Sequence, residues 1–130
     1  METSSSNKIS KRTHKHILVG LKFFATEMVA LISSPVFILL TILGNSLIGV
    51  YSLIFYYLES DHNPKIHSFM DALWWGFSTA TTTGYGDITP ITTPGKILGI
   101  CLMLTGLALF AMFTALFAET ILTSTRQNKI

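Results

Sequence analysis

The sequence is poor in charge and nearly devoid of cysteine. Asp, Glu, Lys and Arg make up 12% of its 130 residues, and cysteine occurs once, at Cys101. A single cysteine excludes an intrachain disulfide and a cysteine metal cluster. Cys101 sits inside an apolar run, where a small packing residue is a sufficient reading. A net charge of +2 is too small to point to nucleic acid. There is no nucleophile–base pair and no phosphate-cradling glycine loop with its lysine, so no enzyme or organic cofactor is indicated. The chain contains no internal repeat and no helix with regularly spaced arginines.

Apolar residues are what it has in excess. They make up 49% of the chain, and the mean hydropathy is +0.52. A soluble fold of this size could not hide so much apolar surface. The apolar residues also fall into long runs, which points to a bilayer. Lys8, Lys11, Arg12, Lys15 and Lys22 precede the first apolar span, and Arg126 and Lys129 follow the last. Lys65 and Lys96 lie between the spans with Glu59, Asp61, Asp71 and Asp87. By the positive-inside rule both termini face the cytoplasm, in a multi-pass protein of the plasma membrane. The first span is too long for a cleaved signal peptide, and no small-residue cleavage site follows it.

Residues 1–13 are polar and Ser/Lys-rich and read as disordered. In 14–33, Leu18, Leu21, Ala25, Met28 and Ile32 recur at helical spacing, with Lys15, Lys22 and Thr26 on another side. That pattern predicts an amphipathic helix along the inner membrane surface, its lysines near lipid phosphates. An upstream extension of the first span is the simpler alternative. Ser34-Pro35 is a cap residue followed by a first-turn proline. It opens an outer helix over 34–58, long enough to cross the hydrocarbon core. Residues 59–67 read as an outer loop in which His62 and His67 are ordinary solvated histidines. Ser68 with Asp71 resembles a capping box and opens a second helix, 68–81, too short to span. Lying between two spans, it must re-enter and return to the side it came from. Thr93-Pro94 repeats the cap-and-proline signal and opens the inner helix, 93–124. Residues 125–130 form a cytoplasmic tail.

Between the re-entrant helix and the inner helix stands Thr82-Thr83-Gly84-Tyr85-Gly86-Asp87, preceded by Trp74-Trp75. If every second residue of a strand adopts left-handed backbone angles, its carbonyls stop alternating and point one way. Glycine does this without steric penalty, and Gly84 and Gly86 are two apart. Such a strand cannot make its own backbone ladder and survives at membrane depth only when protein or water surrounds it.

On these residues the chain resembles the potassium channel pore family, most closely its bacterial two-transmembrane type. The resemblance covers about residues 35–122 and is densest over 74–90. It implies an all-α membrane protein with outer helix, re-entrant pore helix, extended filter and inner helix. It further implies a homotetramer around a central pore, with K+ as the permeant ion, membrane lipids around it and no organic cofactor. The family pattern assigns K+ coordination to Thr82, Thr83, Gly84 and Tyr85. It assigns filter support to Gly86, Asp87, Trp74, Trp75 and Ser78. Trp75 is expected to donate to Asp87, and the Tyr85 ring to wedge against the helix aromatics. Gly106 falls at the inner-helix hinge, although close helix packing serves it equally well. Leu107, Phe110, Thr114 and Ala118 fall toward the cavity or inner constriction. Glu119 either rings the inner mouth or pairs with Lys15 or Lys22.

The chain departs from the family pattern at three places. Thr83 stands where valine is commonest. Ser78 replaces a buried glutamate that pairs with the filter aspartate, which implies altered slow closure of the filter. Thr89 replaces an aromatic that binds quaternary ammonium in some members, which implies weak external block. A non-selective cation channel and a non-conducting subunit that modulates another channel stay open as alternatives, as does an additional regulatory subunit.

Overall fold

The computed structural model describes residues 18–127, with side chains to 123. The expected disorder of 1–13, the start of the amphipathic helix at 14–17 and the end of the tail lie outside the described residues. Four helices follow one another: α1 over 18–32, α2 over Pro35–Glu59, α3 over Phe69–Ala80 and α4 over Thr93–Gln127. No strand occurs among the described residues. The chain divides into two compact units. One comprises Pro35–Leu116; the other takes the first 34 residues and those from Phe117 onward.

In the second of these units, α1 carries Leu18, Leu21 and Ile32 on its surface beside Lys22, and Leu31 is buried. The unit of 35–116 holds everything that positions the 82–87 segment. Pro35–Glu59 and Thr93–Thr123 are each long and apolar enough to cross a membrane. At 1.5 Å rise per residue, α2 is roughly 37 Å long, enough for the hydrocarbon core. Polar side chains inside the spans return their protons to their own helix. Thr41, Asn45, Ser52, Thr105 and Thr114 each donate to the carbonyl four residues back, at 2.8–2.9 Å. A helix can carry such residues in lipid because each gives a polar hydrogen to a carbonyl of its own helix.

The helix α3 starts on a carboxylate. Asp71 Oδ2 accepts the N–H groups of His67 and Ser68 at 2.9 and 2.8 Å and the Ser68 hydroxyl at 3.0 Å. Negative charge in the first turn also suits the helix dipole. These donors, the His67 N–H foremost, hold the Asp71 carboxyl below its ordinary range. The helix is then packed on both sides by small residues and rings. Trp75 stacks flat on Phe55 of α2, centroids 3.5 Å apart and planes 9° apart. Gly76 lies against Ser52, whose hydroxyl a Cβ would strike. Gly106 of α4 lies against the last residue of α3: a Cβ there would collide with the Ala80 carbonyl oxygen and sit 2.8 Å from its Cα. Phe55 and Leu102 are fully buried beside these contacts.

The C-terminal end of α2 and the stretch leading into α4 meet at Glu59, the last residue of α2 and fully buried. Its carboxylate accepts the N–H groups of Ile91 and Thr92 at 2.9 Å, the Thr92 hydroxyl at 2.6 Å and the Asn63 amide at 3.3 Å. Asn63 passes the connection on, donating to the Thr89 carbonyl at 2.9 Å. A buried charge is tolerable only with such a complement of donors. Replacing Glu59 by Ala leaves the Ile91 and Thr92 N–H groups without their acceptor, at a cost of about 1 kcal/mol or more each. Thermal unfolding of Glu59→Ala in detergent should therefore begin clearly below wild type. An unchanged transition would mean that this junction is held by something else.

Candidate functional site: the 82–87 segment behind the pore helix

The segment after α3 is built by the way the helix ends. The Thr81 N–H donates to Phe77 O at 3.0 Å, Thr82 N–H to Thr79 O at 3.1 Å and Gly84 N–H to Ser78 O at 2.9 Å. The backbone turns left-handed at Thr82 with φ 59°, as a residue just past a helix end commonly does. Glycine usually takes that place, and threonine accepts it at a strain of about 1–3 kcal/mol. The turn then repeats. Gly84 has φ 53° and Gly86 φ 77°, while Thr83 and Tyr85 between them do not share the positive sign. Left-handed residues thus alternate at 82, 84 and 86, starting two residues before the first of the glycines.

Peptide planarity gives the direction of the carbonyls. All peptide bonds here are trans, so each N–H and the carbonyl of the same plane point opposite ways. The Gly84 N–H points at Ser78 in α3. The Thr83 carbonyl, in the same plane, therefore points away from the helix. This places the Thr83 main-chain oxygen on the side of the segment turned from α3. Thr82 and Gly84 share a hollow of about 400 Å3 with Thr79, Met103, Leu104 and Leu107.

The far end of the segment is held by Asp87, and the donor is Trp74, not Trp75 as expected from sequence. The Trp74 indole donates to Asp87 Oδ2 at 2.9 Å. Neighbouring residues on a helix are about 100° apart, so the two rings cannot serve the same side. Trp75 is turned inward onto Phe55, and Trp74 toward the segment. The Tyr85 ring lies parallel to Trp74, centroids 5.0 Å apart and planes 11° apart. The Ile88 N–H also donates to Asp87, at 2.9 Å. Lys65, which the sequence reading had only counted as a loop charge, donates its ammonium to the Asp87 carbonyl at 2.7 Å. The Asp87 carboxyl lies below its ordinary range, first because of the Trp74 indole, then through the Ile88 N–H and the Lys65 charge, against partial desolvation.

The other sequence-expected residues fall in different places. Ser78 is buried and its hydroxyl goes to the Trp75 carbonyl at 3.0 Å, so its link to the segment is its main-chain oxygen. Leu107 faces the hollow beside Thr82. Phe110 does not join it there. Phe110 lines a separate cavity of about 380 Å3 with Thr41, Asn45, Phe77, Thr81 and Phe113. Gly106 meets the backbone of Ala80, and this close contact by itself accounts for glycine. The Thr114 hydroxyl returns to Phe110 O at 2.9 Å. Ala118 and Glu119 are exposed and belong to the other unit, and Lys15 lies outside the described residues. Glu59, Asn63 and Lys65 were missed as supports. A lone acid closing an apolar span was the available signal for Glu59.

A family model described as Ion channel matches residues 43–123. A crystal structure of a voltage-gated K+ channel pore domain, in a closed state in lipid membranes, is 36% identical with TM-score 0.54. The match covers 62% of this chain and 88% of that one. The chain belongs to the two-transmembrane potassium channel pore family. A tetragonal crystal form of such a pore module matches at 35% identity and TM-score 0.56, over 63% of this chain and 86% of that one. A voltage-gated potassium channel of Aeropyrum pernix is 56% identical over 48 residues, 37% of this chain and 16% of that protein. Human potassium voltage-gated channel subfamily KQT member 4 is 44% identical over 61 residues, 47% of this chain and 9% of that protein. The chain thus spans less than a fifth of the length of these curated relatives. This pore chain is a membrane protein of ion transport and not an enzyme.

The lowered Asp87 pKa gives a pH dependence of definite sign. The ionised carboxylate accepts the Trp74 proton, so the tether is complete above the ordinary carboxylate range and lost as pH falls through the depressed pKa. Trp74→Phe removes the main cause of the depression. A carbon-13 NMR titration should show the Asp87 carboxyl of Trp74→Phe protonating at higher pH than in wild type. Identical titrations would mean that the indole does not hold this carboxylate.

Proposed function

We propose that four copies of this chain surround a central axis and form a passive, potassium-selective pore in the plasma membrane. The observation that carries this reading is the alternation of left-handed residues at Thr82, Gly84 and Gly86, with the Thr83 carbonyl turned from α3. Four such segments around an axis would stack rings of main-chain oxygens from Thr82, Thr83, Gly84 and Tyr85. The Thr82 hydroxyl would add the innermost ring. Oxygens spaced in this way replace the water a potassium ion sheds on entering, which is the known principle of the family's filters.

The rest of the chain fits that arrangement. The C-terminal end of α3 carries partial negative charge and favours a cation near the inner end of the filter. Leu107 and Thr114 line the water-filled path below it. Both termini lie in the cytoplasm, where the basic residues before α2 and after α4 meet anionic headgroups. The helix α1 rests on the inner membrane surface. Four Glu119 carboxylates, one from each chain, would concentrate cations if they ringed the permeation path. Gly106 serves close packing first, and any bend of α4 there must give up its contact with Ala80.

The test is reconstitution of this chain alone in liposomes. Potassium flux well above sodium flux is the expected result. Equal potassium and sodium fluxes would make it a non-selective cation channel, and no flux from tetrameric protein would make it a non-conducting subunit.

A further inference from the structure

The hydroxyls of Thr83 and Thr81 lie 2.9 Å apart, and the Thr81 hydroxyl lies 2.7 Å from the Phe77 carbonyl oxygen. Each hydroxyl has one proton to give, and a carbonyl oxygen has none. The short contact to Phe77 therefore takes the Thr81 proton. The bond between the two hydroxyls must then be supplied by Thr83. The alternative acceptor for Thr81, the Ser78 carbonyl, is more distant at 3.5 Å and would leave the same direction of donation. The result is a directed relay from Thr83 to Thr81 to the last turn of α3.

The relay acts on the peptide plane that matters. The Thr83 carbonyl is turned from α3 because the Gly84 N–H of its plane is bound to Ser78 O. That single main-chain bond fixes one side of residue 83. The Thr83 hydroxyl fixes the other side, since the side chain must stay turned toward α3 to reach Thr81. Two polar side chains of α3 are committed elsewhere. The Ser78 hydroxyl is committed to Trp75 O, and the indole of Trp74 reaches Asp87 at the opposite end of the segment.

We propose that the Thr83 hydroxyl is a positioning group that keeps the middle of the filter in its conducting shape, and that Thr81 is its acceptor. It rests on the reading of 82–87 as an ion filter. Turning the 83–84 plane over would break the Gly84–Ser78 bond and strain the hydroxyl bond together. With the hydroxyl gone, only the first remains to oppose it. Potassium between the oxygen rings favours the same shape, so the tether matters most when potassium is scarce.

The experiment uses the full chain in liposomes, with steady potassium flux measured at high and low potassium. Thr83→Val replaces the hydroxyl by a methyl group of nearly the same size. It should raise the ratio of closed to conducting filters about five-fold, as expected for the loss of one neutral hydrogen bond, with the larger effect at low potassium. Thr83→Ser keeps the hydroxyl and should restore wild-type behaviour. Thr81→Val should reproduce the defect, and the double variant should add nothing further. Wild-type flux and potassium dependence in Thr83→Val overturn the proposal, as does a Thr81→Val variant without effect. Should Thr83→Val fail to assemble, Thr81→Val and Thr83→Ser decide the matter. Absence of flux in the wild type would instead overturn the filter reading itself.

Discussion

A backbone whose alternate residues are left-handed cannot form the ordinary β-sheet ladder, whose carbonyls alternate in direction. This constraint governs the chain. Residues 82–87 have neither helix nor sheet to hold them, and in a bilayer no water would make up the loss. Their shape must come from the helix before them. The helix end supplies it: Phe77, Ser78 and Thr79 offer their last carbonyls to N–H groups of the following segment. Ending the helix and shaping the 82–87 segment are one event. That accounts for a left-handed threonine at Thr82, where the preferred residue would be glycine.

The helix α3 must then be immovable, and two kinds of contact make it so. Where backbones come closest, the chain places residues without bulk, Gly76 against Ser52 and Gly106 against Ala80. Where a gap is to be filled, it stacks Phe55 on Trp75. The polar clamp at Glu59 works differently. It joins the end of α2 to the backbone before α4, and through Asn63 to Thr89, so the stretch after residue 87 is fixed from behind. Lys65 and Trp74 complete the frame at Asp87. The helix-proximal end of the segment is thus held chiefly by main chain, and the Asp87 end by side chains.

The order of helices was legible because its signals are local. A cap residue followed by proline opens both long helices, Asp71 opens the short one, and the apolar runs have membrane length. The glycines at 84 and 86 announced the backbone alternation for the same reason. What stayed hidden depends on helix rotation or on distant partners. Trp74 and Trp75 are adjacent and chemically identical, and only the packing of α3 on α2 decides which one faces Asp87. Glu59 finds its acceptor role more than thirty residues away, at Ile91 and Thr92. Lys65 is likewise bound to Asp87, 22 positions on. Leu107 and Phe110, one helical turn apart, open into different hollows because the end of α3 lies between them.

The central claim is that the left-handed alternation serves to aim carbonyls at a shared axis. A structure of the reconstituted chain, determined in potassium, tests it most directly. The account predicts fourfold symmetry, with ion density on the axis between oxygens of residues 82–85. An assembly without a fourfold axis, or with these carbonyls turned toward α3 and no ion between them, would contradict it.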